Sequence, residues 1–140
     1  MIANPYLNFE GKTEEAFRFY QSIFGGELNI QYMHQVPDFD VPEEEKNYVM
    51  HASIPLGKNQ LLMASDCLKS AGQTVTPGNN NYICLIVDSR DEADRLFHEL
   101  SVEGEVEMPM EDMFWGDYFG SLNDQFGVRW MICFENPKEE

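Results

Sequence analysis

His51 and Ser53 lie in a stretch, Tyr48 to Leu56, where they alternate with Met50, Ala52, Ile54 and Leu56. Period-two alternation predicts a strand with one apolar face and one face carrying Val49, His51 and Ser53. An imidazole titrates near neutrality, so His51 suits a general base or a hydrogen-bond partner for a ligand. It is the candidate catalytic residue. Tyr6 and Asn8 share one face of a short strand, Tyr6 to Phe9, opposite Leu7 and Phe9. Met63 and Ser65 lie on the return strand Gln60 to Ser65, and Asp66 follows it. Tyr82 and Cys84 open a strand that runs to Val87. Met108, Met110 and Met113 with Phe114 and Trp115 make a soft, deformable wall, beside which Asp117 and Tyr118 can orient a polar group. The candidate ligand-binding set is therefore Tyr6, Asn8, His51, Ser53, Met63, Ser65, Tyr82, Cys84, Met110, Trp115 and Tyr118. Polar groups interleaved with aromatic and soft side chains are what small-molecule sites use.

Two helices must hold these strands. Thr13 is the expected N-cap of the first, with Glu14 and Glu15 at its positive end. Ala16, Phe19, Tyr20, Ile23 and Phe24 form its buried stripe, and Gly25-Gly26 ends it. Ser89-Arg90-Asp91-Glu92 fits a capping box for the second. Ala93, Leu96, Phe97 and Leu100 follow at helical spacing, and Gly104 is the expected stop. Strands are predicted over Glu27–Met33, Glu105–Met110, Tyr118–Leu122 and Val128–Glu135. His34 and His98 read as a strand end and a packed or surface helix residue.

The order of elements occurs twice. Sliding Phe9–Asn29 along Val87–Glu107 pairs Glu14 with Glu92, Phe19 with Phe97, Gly26 with Gly104 and Glu27 with Glu105. Two βαβββ modules, about 1–70 and 78–140, make one α+β domain, because neither half alone can bury its sheet. The acidic loop Pro37–Lys46 between strands reads as a solvated segment, with a flap over a pocket as the alternative.

Charge excludes several partners. The chain has 140 residues, with 25 acidic against 9 basic residues and a net charge of −16. Phosphate backbones and anionic membrane faces repel such a surface, while a neutral or cationic small molecule remains compatible. No apolar run approaches the roughly 20 residues of a membrane span, and no secretory pattern opens the chain. Three dispersed cysteines, Cys67, Cys84 and Cys133, form no C-x-x-C motif, so reduced thiols in a cytoplasmic protein are expected, with Cys84 and Cys133 packed. No phosphate-binding loop, dinucleotide turn or nucleophile elbow occurs, so no cofactor is expected.

Several motifs carry a family resemblance. They include Pro5-Tyr6-Leu7-Asn8-Phe9-Glu10-Gly11, Phe24-Gly25-Gly26-Glu27-Leu28 and Met63-Ala64-Ser65-Asp66. Met113-Phe114-Trp115-Gly116 and Asp124-Gln125-Phe126-Gly127 followed by Trp130 complete the pattern. With the tandem βαβββ order, the chain resembles the PhnB-like branch of the glyoxalase, bleomycin-resistance and extradiol-dioxygenase superfamily, the vicinal oxygen chelate fold. The resemblance implies curved mixed sheets around a cavity, helices on the convex faces, and a homodimer. PhnB-like sequences often carry the label 3-demethylubiquinone-9 3-methyltransferase. A Rossmann-type methyltransferase would need a Gly-rich turn after a strand, and none is present.

The resemblance also implies four metal-ligand positions. They fall on Asn4 (or Pro5), within Leu61–Met63, on Tyr82 and on Met131, none of which is His, Asp or Glu. No divalent metal is therefore expected. The reading that follows is a small-molecule-binding protein without the usual metal. Two alternatives stay open: an enzyme with a non-standard site at His51, Tyr82 and Asp66, and a non-catalytic dimeric interaction protein.

Overall fold

The computed structural model describes residues 1–137. The chain forms two compact units, the first ending at Thr76 and the second beginning at Pro77. The first contains β1 (Tyr6–Phe9), α1 (Thr13–Phe24), β2 (Asn29–Tyr32), β3 (Val49–Pro55) and β4 (Leu61–Asp66). The second contains β5 (Ile83–Val87), α2 (Arg90–Leu100), β6 (Glu105–Asp112), β7 (Asp117–Asn123) and β8 (Arg129–Glu135). Each is βαβββ, as the repeat predicts. The sheets run β1-β4-β3-β2 and β5-β8-β7-β6. In each the first strand pairs in parallel with the last, and the remaining pairs are antiparallel. Among the described residues no helix is long and apolar enough to cross a membrane.

In the first unit α1 packs on β3 and β4. Ala16, Phe17, Tyr20 and Ile23 are buried against a face supplied by Phe9, Ala52, Ile54, Leu62 and Ala64. Burying one large side chain of this kind contributes about 1.5–3 kcal/mol. The helical stripe turns at Phe17 rather than Phe19. In the second unit α2 packs on β7 and β8, with Ala93, Leu96 and Leu100 buried near Leu122, Trp130 and Ile132.

Two helix ends differ from expectation. Thr13 is the first helical residue, not the cap; Lys12 stands at the N-cap and makes no side-chain cap bond. Asp66 Oδ1 caps from the end of β4 instead, accepting the Thr13 N–H at 3.0 Å and its hydroxyl at 2.7 Å. Its carboxylate satisfies a donor at the helix's positive end. At α2, Ser89 Oγ accepts from the Glu92 N–H at 3.1 Å, as the capping motif predicts. Gly104 does not cap α2, which ends at Leu100 with Ser101 at the C-cap. Gly104 is required for space: a Cβ there would lie 2.5 Å from the Asn123 carbonyl oxygen at the end of β7. Gly26, its repeat partner, is pressed against Pro55 at the end of β3, 2.4 Å from a Cβ. The two aligned glycines thus do the same work in the two units.

The acidic loop is anchored. Val41 packs with Met33 and Leu68. Glu45 is buried in a short 3-10 turn, where its carboxylate accepts the Ser70 hydroxyl and, at 3.3 Å, the Ser70 N–H.

Candidate functional site

Register decides which side chains share a face. In the first sheet Tyr6 pairs with Met63, which pairs with Ser53; Asn8 pairs with Ser65; Gln31 pairs with His51 and Asn29 with Ser53. Side chains in register lie on the same side of a sheet. Tyr6, Asn8, His51, Ser53, Met63 and Ser65 therefore gather on the face opposite α1, with Asn29 and Gln31 beside them. Every one of these residues is exposed or half-buried. No Asp, Glu, Lys or Arg occurs among the in-register residues of this face. The Tyr6 hydroxyl lies 3.2 Å from His51 Nδ1, with the rings tilted at 5.8 Å.

Asp66 belongs to the other face. It is only 4% exposed. Besides Thr13, it accepts the Val49 N–H on Oδ2 at 2.8 Å. A carboxylate committed to three donors holds α1 and β3 on the sheet; it has no part on the open face. His34 stacks on Tyr32 at 5.5 Å, and His98 is exposed on α2.

In the second sheet Cys84, Met131 and Ser121 lie in one register row, and Ile86, Cys133 and Phe119 in the next. These form the face away from α2. Cys84 is exposed rather than packed, whereas Cys133 is buried. Desolvation pushes both thiols above the usual range, so neither is an activated nucleophile. Tyr82 precedes β5 and donates its hydroxyl to Glu107 Oε2 at 2.5 Å. Glu107 Oε1 also takes a charge-assisted bond from Arg129 Nη1, and Arg129 Nε reaches the Gly78 carbonyl at 3.4 Å. The bond to Glu107 raises the Tyr82 phenol, which holds its proton and cannot serve as a base. Glu107 and Arg129 are not among the residues expected from the sequence, because only strand register brings them to Tyr82.

Met110 and Tyr118 lie on the helix-covered face, contrary to expectation. Register shifts between Val106, Met108 and Glu111 break the alternation of β6. The Met110 sulfur consequently lies over Gly120, next to Phe97 of α2. Tyr118 shares a register row with Phe134, and its hydroxyl donates to Asp94 of α2 at 2.5 Å. Arg90 stacks on the Tyr118 ring at 3.8 Å and grips Asp112 through two bonds of 2.7 and 3.2 Å. That pairing holds the Asp112 carboxyl below the usual range. Asn136 ties Asp112 to the Gly116 carbonyl in the turn between β6 and β7. Trp115, in that turn, donates its indole N–H to Asp117 at 2.9 Å and meets Phe119 edge-on, which puts it with the open face.

The superfamily's metal positions do not fit a divalent ion here. The Asn4 side-chain carbonyl accepts the Leu61 N–H at 3.1 Å, and Tyr82 is committed to Glu107. Met131 offers only a thioether, which suits soft ions. Among the described residues no three His, Cys, Asp or Glu side chains gather where they would hold a metal ion.

Comparison with known proteins agrees with this architecture. The family model for 3-demethylubiquinone-9 3-methyltransferase matches residues 2–133. The crystal structure of protein PA1353 from Pseudomonas aeruginosa is 37% identical, with a TM-score of 0.82, over 98% of this chain and 99% of that one. A PhnB protein from Bacillus cereus is 29% identical, with a TM-score of 0.72, over 96% and 99% of the two chains. A glyoxalase/bleomycin resistance protein/dioxygenase family enzyme from Burkholderia phytofirmans, 16% identical with a TM-score of 0.61, covers 93% of this chain and 96% of its own, and shares the fold.

Proposed function

The chain belongs to the 3-demethylubiquinone-9 3-methyltransferase family, the PhnB-like proteins of glyoxalase-type fold, and from that premise we propose that it binds a small neutral or cationic molecule on the open face of its first sheet, without the superfamily's usual metal. One observation carries the reading. Six of the expected ligand-binding side chains share that face, and among its in-register residues the ionisable groups are the His51 imidazole and the Tyr6 phenol. A face of amides, hydroxyls, one thioether and two rings can fix a ligand's orientation without trapping a charge. The surrounding −16 charge repels anions.

A methyl-transfer role draws no support from the residues, because no Gly-rich cofactor turn follows a strand. An enzyme working through His51, Tyr82 and Asp66 is weakened by two commitments: Tyr82 to Glu107, and Asp66 to Thr13 and Val49. A purely interactive role leaves the polar first face without purpose.

The test is thermal unfolding of chelator-stripped protein against neutral, cationic and anionic compounds, and against Mg, Mn, Fe(II), Co, Ni and Zn singly. A ligand that binds only the native state raises the midpoint by mass action. Neutral or cationic compounds should raise it and the metals should not. Stabilisation by a metal at saturable concentration, or by anions alone, would contradict the proposal.

A further inference from the structure

We infer that the open face of the first sheet recognises an uncharged ligand through a hydrogen-bond acceptor, such as an amide or ketone oxygen, which receives the Nε2–H of a neutral His51 whose tautomer is set by Tyr6. This deepens the binding reading above and rests on it. The Tyr6 hydroxyl and His51 Nδ1 are 3.2 Å apart, so one of them must donate. A phenol is the stronger donor, since its oxygen lone pairs are partly delocalised into the ring, and a bare imidazole nitrogen is the stronger acceptor. Tyr6 therefore donates to Nδ1, and the single imidazole proton resides on Nε2. No described residue of the first unit bonds that nitrogen, and His51 is half-buried on the open face. Its Nε2–H is a fixed donor awaiting an acceptor.

Local composition selects the ligand's charge. Among the in-register residues of the face a carboxylate or phosphate would find no Lys or Arg, and an ammonium would find no Asp or Glu. The chain's acidic excess lies outside these register rows, and its field is screened over about 8 Å at physiological salt. Short-range hydrogen bonds therefore outweigh it. Asn8, Ser53, Ser65 and Gln31 offer further neutral donors and acceptors around the imidazole. Of the two roles its sequence context offers, general base or hydrogen-bond partner for a ligand, this arrangement favours the second, through Nε2.

The test uses the full-length, 15N-labelled protein and long-range imidazole NMR at about pH 8, above the ordinary histidine range. Nδ1 should resonate as an unprotonated nitrogen and Nε2 as a protonated one. Tyr6→Phe, which keeps the ring, should admit a fraction of the opposite tautomer. Protonation of Nδ1 in the unsubstituted protein overturns the inference whatever the protein binds. Benzamide, benzoate and benzylamine are then titrated separately at equal concentration. Benzamide should move the His51 ring resonances most. His51→Gln, which keeps a donor, should bind benzamide within about threefold of the parent, and His51→Leu about tenfold more weakly. Larger shifts from benzylamine would overturn the inference while leaving the binding reading intact; larger shifts from benzoate would overturn both. Silence from all three at millimolar concentration would overturn both.

Discussion

The two open sheet faces contrast sharply although the same βαβββ order builds both. The first holds hydroxyls, amides, a thioether and the Tyr6–His51 pair, with no carboxylate or basic chain among its in-register residues. The second has Arg129 neutralised by Glu107, Tyr82 spent on Glu107, and an aromatic turn in which Phe114 is 97% exposed. A duplicated scaffold thus keeps its backbone rules and diverges on the faces that its helices leave uncovered. The helix sides remain alike: apolar stripes on apolar strands, each with a buried carboxylate that accepts backbone donors. In the second unit that carboxylate is Asp124, which takes the Phe126 and Val128 N–H groups and the Trp130 indole.

The largest expected effect tests this parallel. Asp66→Ala strands a helix-end N–H, a hydroxyl and a strand N–H, and should cost about 3–4 kcal/mol in urea unfolding of the full chain. Asp124→Ala should cost less, about 2–3 kcal/mol, because two of its three cited donors, the Phe126 and Val128 N–H groups, belong to half-buried turn residues that water can reach, and the Trp130 indole alone is fully buried. The reverse order would break the claim that Asp66 is the unit's long-range tie. Next come the aligned glycines. Gly104→Ala meets backbone and should cost about 2–3 kcal/mol; Gly26→Ala meets a proline ring at positive φ and should cost about 2 kcal/mol. Near-neutral stability for both would show that the shared close approach is slack.

The smallest effect concerns acid. The folded Asp112 carboxyl lies below its ordinary value because Arg90 bonds it. Its contribution is therefore present above the unfolded value of about 3.9 and is lost as pH falls through the folded one. Asp112→Asn should flatten the stability–pH curve below about pH 4, modestly, because the pair is solvent-exposed. An unchanged slope would remove the Arg90 clamp from the account of the second unit.

The sequence made the element order and most of the first unit's open face legible, since alternation from His51 onward fixes which residues of β1, β3 and β4 point together; at Val49 a register shift opposite Gln31 and Tyr32 breaks it, and Val49 is buried instead of sharing the half-buried face of His51 and Ser53. Met110 defeated the same logic because the bulges of β6 leave no trace in apolar spacing. Tyr118 was linked to Asp117 by adjacency, although neighbouring strand residues point to opposite faces. The roles of Asp66 and Glu45 depend on partners 53 and 25 residues away, Thr13 and Ser70, which no local pattern reports. Glu107 and Arg129 meet Tyr82 only through partners 25 and 22 residues apart, which local spacing does not report. Of the metal positions, residue types alone were informative, since Asn4, Tyr82 and Met131 offer no strong ligand before any geometry is known.

The most direct measurement maps a compound that stabilises the protein in thermal unfolding onto assigned 1H–15N and side-chain resonances. The account predicts shifts concentrated at Tyr6, Asn8, His51, Ser53, Met63 and Ser65. Shifts confined to Cys84, Trp115, Phe119 and Met131 would place recognition on the second sheet and contradict it.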